Sequence, residues 1–168
     1  MMTTHQTTEA LFDVNTIARY LYSLKPNISP LKLQKSLYFL FAFHGAVYRN
    51  KEEEGVFEGS SGATTRYLFD AEIQAWKYGP VIPEVYFAQR DGEYEDKDKI
   101  KAAIDEVSVN DEVKEFINEM FEQIDGVTDF KLVDRSHRDD AWQRAYAVEQ
   151  STEMDKEAII QEYIEKYV

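Results

Sequence analysis

The stretch from Ser29-Pro30 to Tyr48 restricts the fold more than any other part of the chain. Leu33, Leu37, Leu40, Phe41 and His44 fall on one helical face, and Tyr38, Phe39 and Phe43 make the opposite side apolar as well. A helix that is hydrophobic on most of its circumference needs neighbours on several sides, which makes Leu31 to Tyr48 the centre of the packing. Ser29 can accept an orphan N–H at its start, and Pro30 at the first turn gives up no hydrogen bond. The expected hairpin partner is a first helix capped by Asp13, with Val14, Ile17, Ala18 and Leu21 on one face. A chain of 168 residues buries about 70% of its unfolded surface, so such a core needs no covalent staple.

The remaining segments predict a mainly α fold: a compact multi-helix single domain with a small antiparallel β-sheet or hairpin around residues 56–76. Residues 1–12 read as a flexible polar N-terminal arm. Residues 49–66, with a charge run from Arg49 to Glu54 and then Gly55, Gly59 and Gly62, read as an exposed loop or hairpin insertion within a domain spanning 13–168. Partial alternation from Tyr67 to Trp76 predicts a short strand, for which Val56 and Phe57 could supply a partner. Helices are expected near Ile100–Val107, after a cap at Ser108 or Asn110, after Thr128, around Trp142 and from about Asp155. The helix carrying Val113, Phe116, Ile117, Met120, Phe121 and Ile124 has the cleanest spacing.

Between strand and helix, Tyr78-Gly79-Pro80-Val81-Ile82-Pro83 cannot be regular helix, because the residue before each proline is pushed to an extended backbone. Pro83 can open the next helix, carrying Val85 and Tyr86. Trp76, Tyr78 and Tyr86 flank a turn in which two prolines fix backbone angles. Rigid aromatic surface loses little entropy on binding, so these rings suit an interface, and they suit equally well a lid closing the core.

Charge and composition exclude several classes. With 32 acidic and 19 basic side chains the formal charge is −13, which repels phosphate backbones, so no direct nucleic-acid binding is expected. Residues 91–125 hold 13 acids against four lysines, a solvated face or one that steers a basic partner. There is no cysteine, hence no thiolate chemistry, no disulfide and a cytoplasmic expectation. The polar start shows no secretory signal, and the longest apolar run, Leu37–Phe43, is too short to span a membrane.

No catalytic pattern stands out, and no cofactor is expected. The histidines are His5, His44 and His137. His44, on the apolar helix face, reads as a buried and satisfied histidine. A metal site could assemble from His137, Asp134, Asp139 and Asp140, and His137 with Asp134 or Asp140 is the only plausible centre for a small hydrolase; without a ligand cadence or an adjacent nucleophile, His137 reads better as a structural hydrogen bond. Asp139 or Asp140 would then meet free N–H groups at a helix start. Gly59–Thr65 lacks the order and the lysine of a phosphate loop.

Three blocks carry a resemblance to the Panacea antitoxin domain family, the SocA-type antitoxins of bacteria and their phages. They are Leu31-Lys32-Leu33-Gln34-Lys35-Ser36-Leu37-Tyr38-Phe39; Leu68-Phe69 through Ile73-Gln74-Ala75-Trp76-Lys77-Tyr78-Gly79-Pro80-Val81-Ile82-Pro83 to Val85-Tyr86; and Leu132-Val133 with Ser136-His137 and Ala141-Trp142. Ser136 stands where threonine is usual and Ser36 where leucine is common. The resemblance implies a helical domain with a small sheet and no catalytic activity. Its partner would be a cognate protein toxin, expected to be basic, and an AAA+ protease in a branch that acts as a proteolytic adaptor. A phage accessory protein with a host target has the same physical requirements. The family pattern maps to Lys35, Trp76, Tyr78, Gly79, Pro80, Pro83, Tyr86, His137 and Trp142 as shared scaffold or interaction residues; it does not set the oligomeric state.

Overall fold

A computed structural model describes residues 7–53 and 64–168. The order of elements is β1 (Thr7–Phe12), α1 (Val14–Leu24), α2 (Pro30–Glu53), β2 (Thr64–Phe69), β3 (Gln74–Trp76), β4 (Gly79–Val81), α3 (Pro83–Arg90), α4 (Lys97–Ser108), α5 (Asp111–Asp125), α6 (Asp129–His137), α7 (Asp140–Val148), β5 (Thr152–Glu153) and α8 (Lys156–Lys166). The fold is mainly α with a small antiparallel sheet, as expected from the sequence.

α2 is the axis. Leu33, Leu37, Tyr38, Leu40, Phe41 and Ala42 are fully buried, and α8, β2, α5, α6 and β4 all pack around the helix. Ser29 Oγ accepts from Lys32 N at 3.1 Å, closing its first turn. At Gly45 the α8 side chain of Ile160 comes so near that a Cβ would lie 2.6 Å from its Cδ1, which is why this face of α2 carries a glycine. α2 continues past Tyr48 to Glu53, into the segment expected to be loop. α1 begins at its Asp13 cap, whose carboxylate accepts from Asn15 N at 2.8 Å. It packs most extensively on α4 and only lightly on α2, so the expected α1–α2 hairpin is not the main contact. The reason is geometric: α8, β2, α5, α6 and β4 already surround α2, and the larger share of the α1 packing goes to α4.

The strands differ most from expectation. Residues 7–12, expected within the polar arm, form β1, which pairs in parallel with β2 from Thr7 opposite Thr64 to Phe12 opposite Phe69. Phe12 is buried and Leu11 packs against the core, so this strand end has an apolar reason to dock. Val56 and Phe57, the expected strand partner, lie outside the described residues, as do residues 1–6. The single strand read over Tyr67–Trp76 is two: β2, and β3 in a separate antiparallel sheet of order β4-β3-β5. Asp70 to Ile73 between them are not in a ladder; Ile73 instead offers its carbonyl to Met154 N at 2.7 Å. β5 has only two residues, too short for an alternation signal.

The remaining helix starts follow their caps. Asn110 accepts from Val113 N at 3.1 Å, Thr128 from Lys131 N at 3.4 Å, and Asp155 from Glu157 N at 2.9 Å. Val113, Ile117, Phe121 and Ile124 of α5 face the core, while Asp105, Glu106, Asp111, Glu112, Glu115, Glu119 and Glu122 are exposed, giving α4 and α5 an acidic outer face. No helix among the described residues is long and apolar enough to cross a membrane.

Candidate functional site: a hairpin locked from behind

β3 and β4 form a hairpin around Lys77-Tyr78, with Trp76 opposite Gly79, Ala75 opposite Pro80 and Gln74 opposite Val81. β4 is the edge of its sheet, so Pro80 can lack an N–H without breaking a ladder. Gly79 has φ +108°, a region closed to other residues at acceptable cost.

The backbone of this hairpin is held from inside by α2. Gln34 reads Ile82 at both ends: its Nε2 donates to Ile82 O at 3.3 Å, and Ile82 N donates to its Oε1 at 2.7 Å. The next residue, Lys35, is fully buried and donates from Nζ to Pro80 O at 3.0 Å. From the other side, Trp142 Nε1 donates to Trp76 O at 2.9 Å. His137 Nε2 lies 2.9 Å from Lys77 O; a carbonyl only accepts, so Nε2 carries the proton. The His137 ring packs on Trp142 with centroids 4.3 Å apart, and Trp142 stacks on Tyr146 at 4.7 Å. Ser136, buried, donates to Val133 O at 2.8 Å and sits against Gly79.

The structure therefore brings the sequence-predicted residues into one place. Lys35, Gly79, Pro80, His137 and Trp142 touch one another or the same hairpin backbone. Pro83 opens α3 directly after the hairpin. Trp76 and Tyr86 are half-buried with ring centroids 5.2 Å apart, while Tyr78 is 50% exposed. Outward, Lys77 Nζ lies 5.6 Å from the Tyr78 ring centre, Tyr86 meets Phe87 at 5.2 Å, and Arg90 covers Phe87 at 4.8 Å. A pocket of about 300 Å³ opens between α2 and the hairpin, walled by Leu31, Lys35, Trp76, Tyr78, Val81 and Tyr86.

Burial pushes the Lys35 ammonium down to a pKa of about 7. An unfolded lysine keeps its ordinary value near 10.4, so between these limits the unfolded chain binds the extra proton and stability rises with pH. We expect this group to add up to about 1.4 kcal/mol per pH unit between pH 7 and 10, lost again as pH falls through 7. Lys35→Met should remove that gradient in urea melts taken across the range; an unchanged gradient would show that the amine is not desolvated.

A second buried polar cluster was not legible in the sequence. Asp139 is fully buried, and its Oδ2 accepts from Tyr38 OH and Tyr163 OH, both at 2.5 Å, while Arg135 Nη1 donates to Oδ1 at 3.0 Å. It makes no side-chain cap for α7, contrary to the expectation. The free N–H groups there are met by Glu162 of α8, which accepts from Asp140 N at 2.7 Å and Ala141 N at 2.9 Å. Burial pushes the Asp139 carboxyl and the Tyr38 and Tyr163 phenols up from their ordinary values. Asp140 pairs instead with Lys166 at 2.9 Å. Asp139 is held by Tyr38, Tyr163 and Arg135 and Asp140 by Lys166, and no group of three or more metal-ligating side chains occurs among the described residues, so the candidate metal site does not assemble there. His44 is buried, stacked near Tyr48 and edge-on to Phe116.

Rigid hairpin, internal polar braces and the exposed Tyr78 ring give this domain a pre-ordered outward surface. A family model described as Antitoxin SocA-like, Panacea domain, matches residues 60–143, half of the chain, and the chain belongs to that family. The matched span contains the hairpin, α6 and the start of α7; the Leu-Gln-Lys block of α2 lies outside it, although its side chains complete the same structure. Comparisons with curated proteins and with solved structures gave no match.

Proposed function

We propose that this chain is a stoichiometric antitoxin that neutralises a partner protein toxin by contact alone, with the outward side of the β3–β4 hairpin as the contact surface. The observation that carries this reading is the half-exposed Tyr78 at the tip of a hairpin whose backbone is braced on both sides. Its exposed ring arrives at an interface already ordered, and aromatic residues of this kind supply much of the free energy at protein contacts. The acidic outer face of α4 and α5 adds a field that draws in a basic toxin and raises the association rate more than the affinity.

Co-expression with the product of the adjacent gene tests the reading. Growth should be rescued, the two chains should co-purify, and association measured by stopped flow should slow as salt rises. Rescue that disappears in a protease-deficient host while binding persists would identify a proteolytic adaptor instead. Association rates indifferent to salt would remove the steering role of the acidic face.

A further inference from the structure

The pocket behind Tyr78 carries a charge opposite to the chain as a whole. Among the described residues its lining includes Lys35 and Lys77 and no aspartate or glutamate, in a protein with 32 acids and 19 basic residues. Lys35 is fully withdrawn from water, yet its three N–H donors meet one carbonyl, Pro80 O, and no carboxylate pairs with it among the described residues. A buried ammonium without a counter-ion is costly, and an anion brought beside it relieves that cost. Lys77, at the exposed lip, rests on the Tyr78 ring and makes no ion pair with any described carboxylate. The remaining walls are mostly apolar: Leu31, Trp76, Val81 and Tyr86.

We propose that this pocket seats the C-terminal carboxylate of the partner protein, with an apolar last side chain against the aromatic walls. The proposal rests on the reading of the hairpin face as the contact surface and adds what that surface recognises. A volume of about 300 Å³ is at the lower end for ligand pockets and suits one residue. A terminal residue offers a carboxylate and an apolar side chain from the same Cα, matching a lysine and aromatic walls side by side. An internal Asp or Glu brings the charge but leaves the walls unfilled, and a phosphate has no apolar part to place against Leu31, Trp76, Val81 and Tyr86. A toxin that is basic overall still ends in a carboxylate, so the acidic α4–α5 face and this cationic pocket act at different stages: approach, then seating.

The test uses the full chain and three probes: the peptide Gly-Gly-Gly-Gly-Leu as the free acid, the same peptide as its C-terminal amide, and N-acetyl-leucine. Binding is followed by NMR of the Lys35 side chain. The free acid should bind and raise the Lys35 titration midpoint; the amide should bind at least about tenfold more weakly and leave the midpoint unmoved. In Lys35→Met the acid should lose its advantage over the amide, and the wild-type titration stands on its own if that variant does not fold. Acid and amide binding alike, no binding of the acid at about 1 mM, or N-acetyl-leucine binding where the peptide acid does not would each overturn the proposal, the last in favour of a small-molecule site. None of these results depends on growth rescue, so failure here and failure of the antitoxin reading are separate outcomes.

Discussion

Gly79→Ala is expected to lower stability by about 3–5 kcal/mol, the sum of two costs that act on the same atom. The first is conformational: φ is +108°, and an L side chain there is strained whatever its surroundings. The second is steric. A Cβ would overlap Ser136 Oγ and lie 2.9 Å from Lys35 Cε. Neither neighbour can move freely, because Ser136 is tied to Val133 O and Lys35 to Pro80 O. Gly45→Ala is the informative comparison. Its Cβ would also collide, but with the Ile160 side chain, which can turn, so a smaller loss of about 1–3 kcal/mol is expected. Urea melts of the two variants check the pair; a Gly79 variant as stable as the wild type would mean that the hairpin is not pinned between α2 and α6.

Asp139→Ala should cost a comparable amount, about 3–5 kcal/mol. The substitution strands three donors at once: two buried phenols, from α2 and α8, and the half-buried Arg135 guanidinium from α6. One carboxylate at the start of α7 thus ties four helices together. Arg135 is further placed over the Tyr167 ring at 4.3 Å, so its release would loosen the C-terminal turn as well. The expected signature is a large drop in melting temperature with loss of near-UV tyrosine signal. A drop under about 1 kcal/mol, the size typical of a single neutral hydrogen bond, would contradict the central role assigned to this group.

Much of this architecture is written locally. The caps at Asp13, Asn110, Thr128 and Asp155 and the apolar stripe of α5 are sequence-adjacent signals, and the structure follows them. The continuous apolar surface of α2 told that it is central but not which elements surround it, since that is a matter of long-range packing. The strands were harder. β1 pairs with β2 across more than fifty residues and in parallel, so no turn signal links them, and β5 owes its pairing to a two-residue approach beside Ile73 and Ala75. The candidate site was legible through the turn chemistry of Tyr78–Pro83 and through the family pattern. The direct partners were not: nothing in Leu-Gln-Lys announces that Gln34 will read Ile82 or that Lys35 will hold Pro80 O. Asp139 was misassigned for a related reason. An aspartate before a helix ordinarily caps it, and only tertiary structure shows that Tyr38 and Tyr163 compete for it while Glu162 takes over the N–H groups. A glutamate six residues before the chain end gives no hint of that in sequence.

The braced residues and the exposed ones divide the family pattern into two roles. On the proposed reading, Lys35, Gly79, Pro80, His137 and Trp142 hold the hairpin's shape, and Tyr78, exposed at its tip, is the member offered to a partner. Removing that ring leaves the braces intact, and substitutions at exposed positions usually change stability by no more than about 0.5 kcal/mol. Calorimetric titration of wild type and Tyr78→Ser against the co-purifying toxin therefore tests the account most directly. The account predicts an unchanged melting temperature and affinity weakened by about thirtyfold or more. Equal affinity of the two proteins would place the toxin on another face and contradict it.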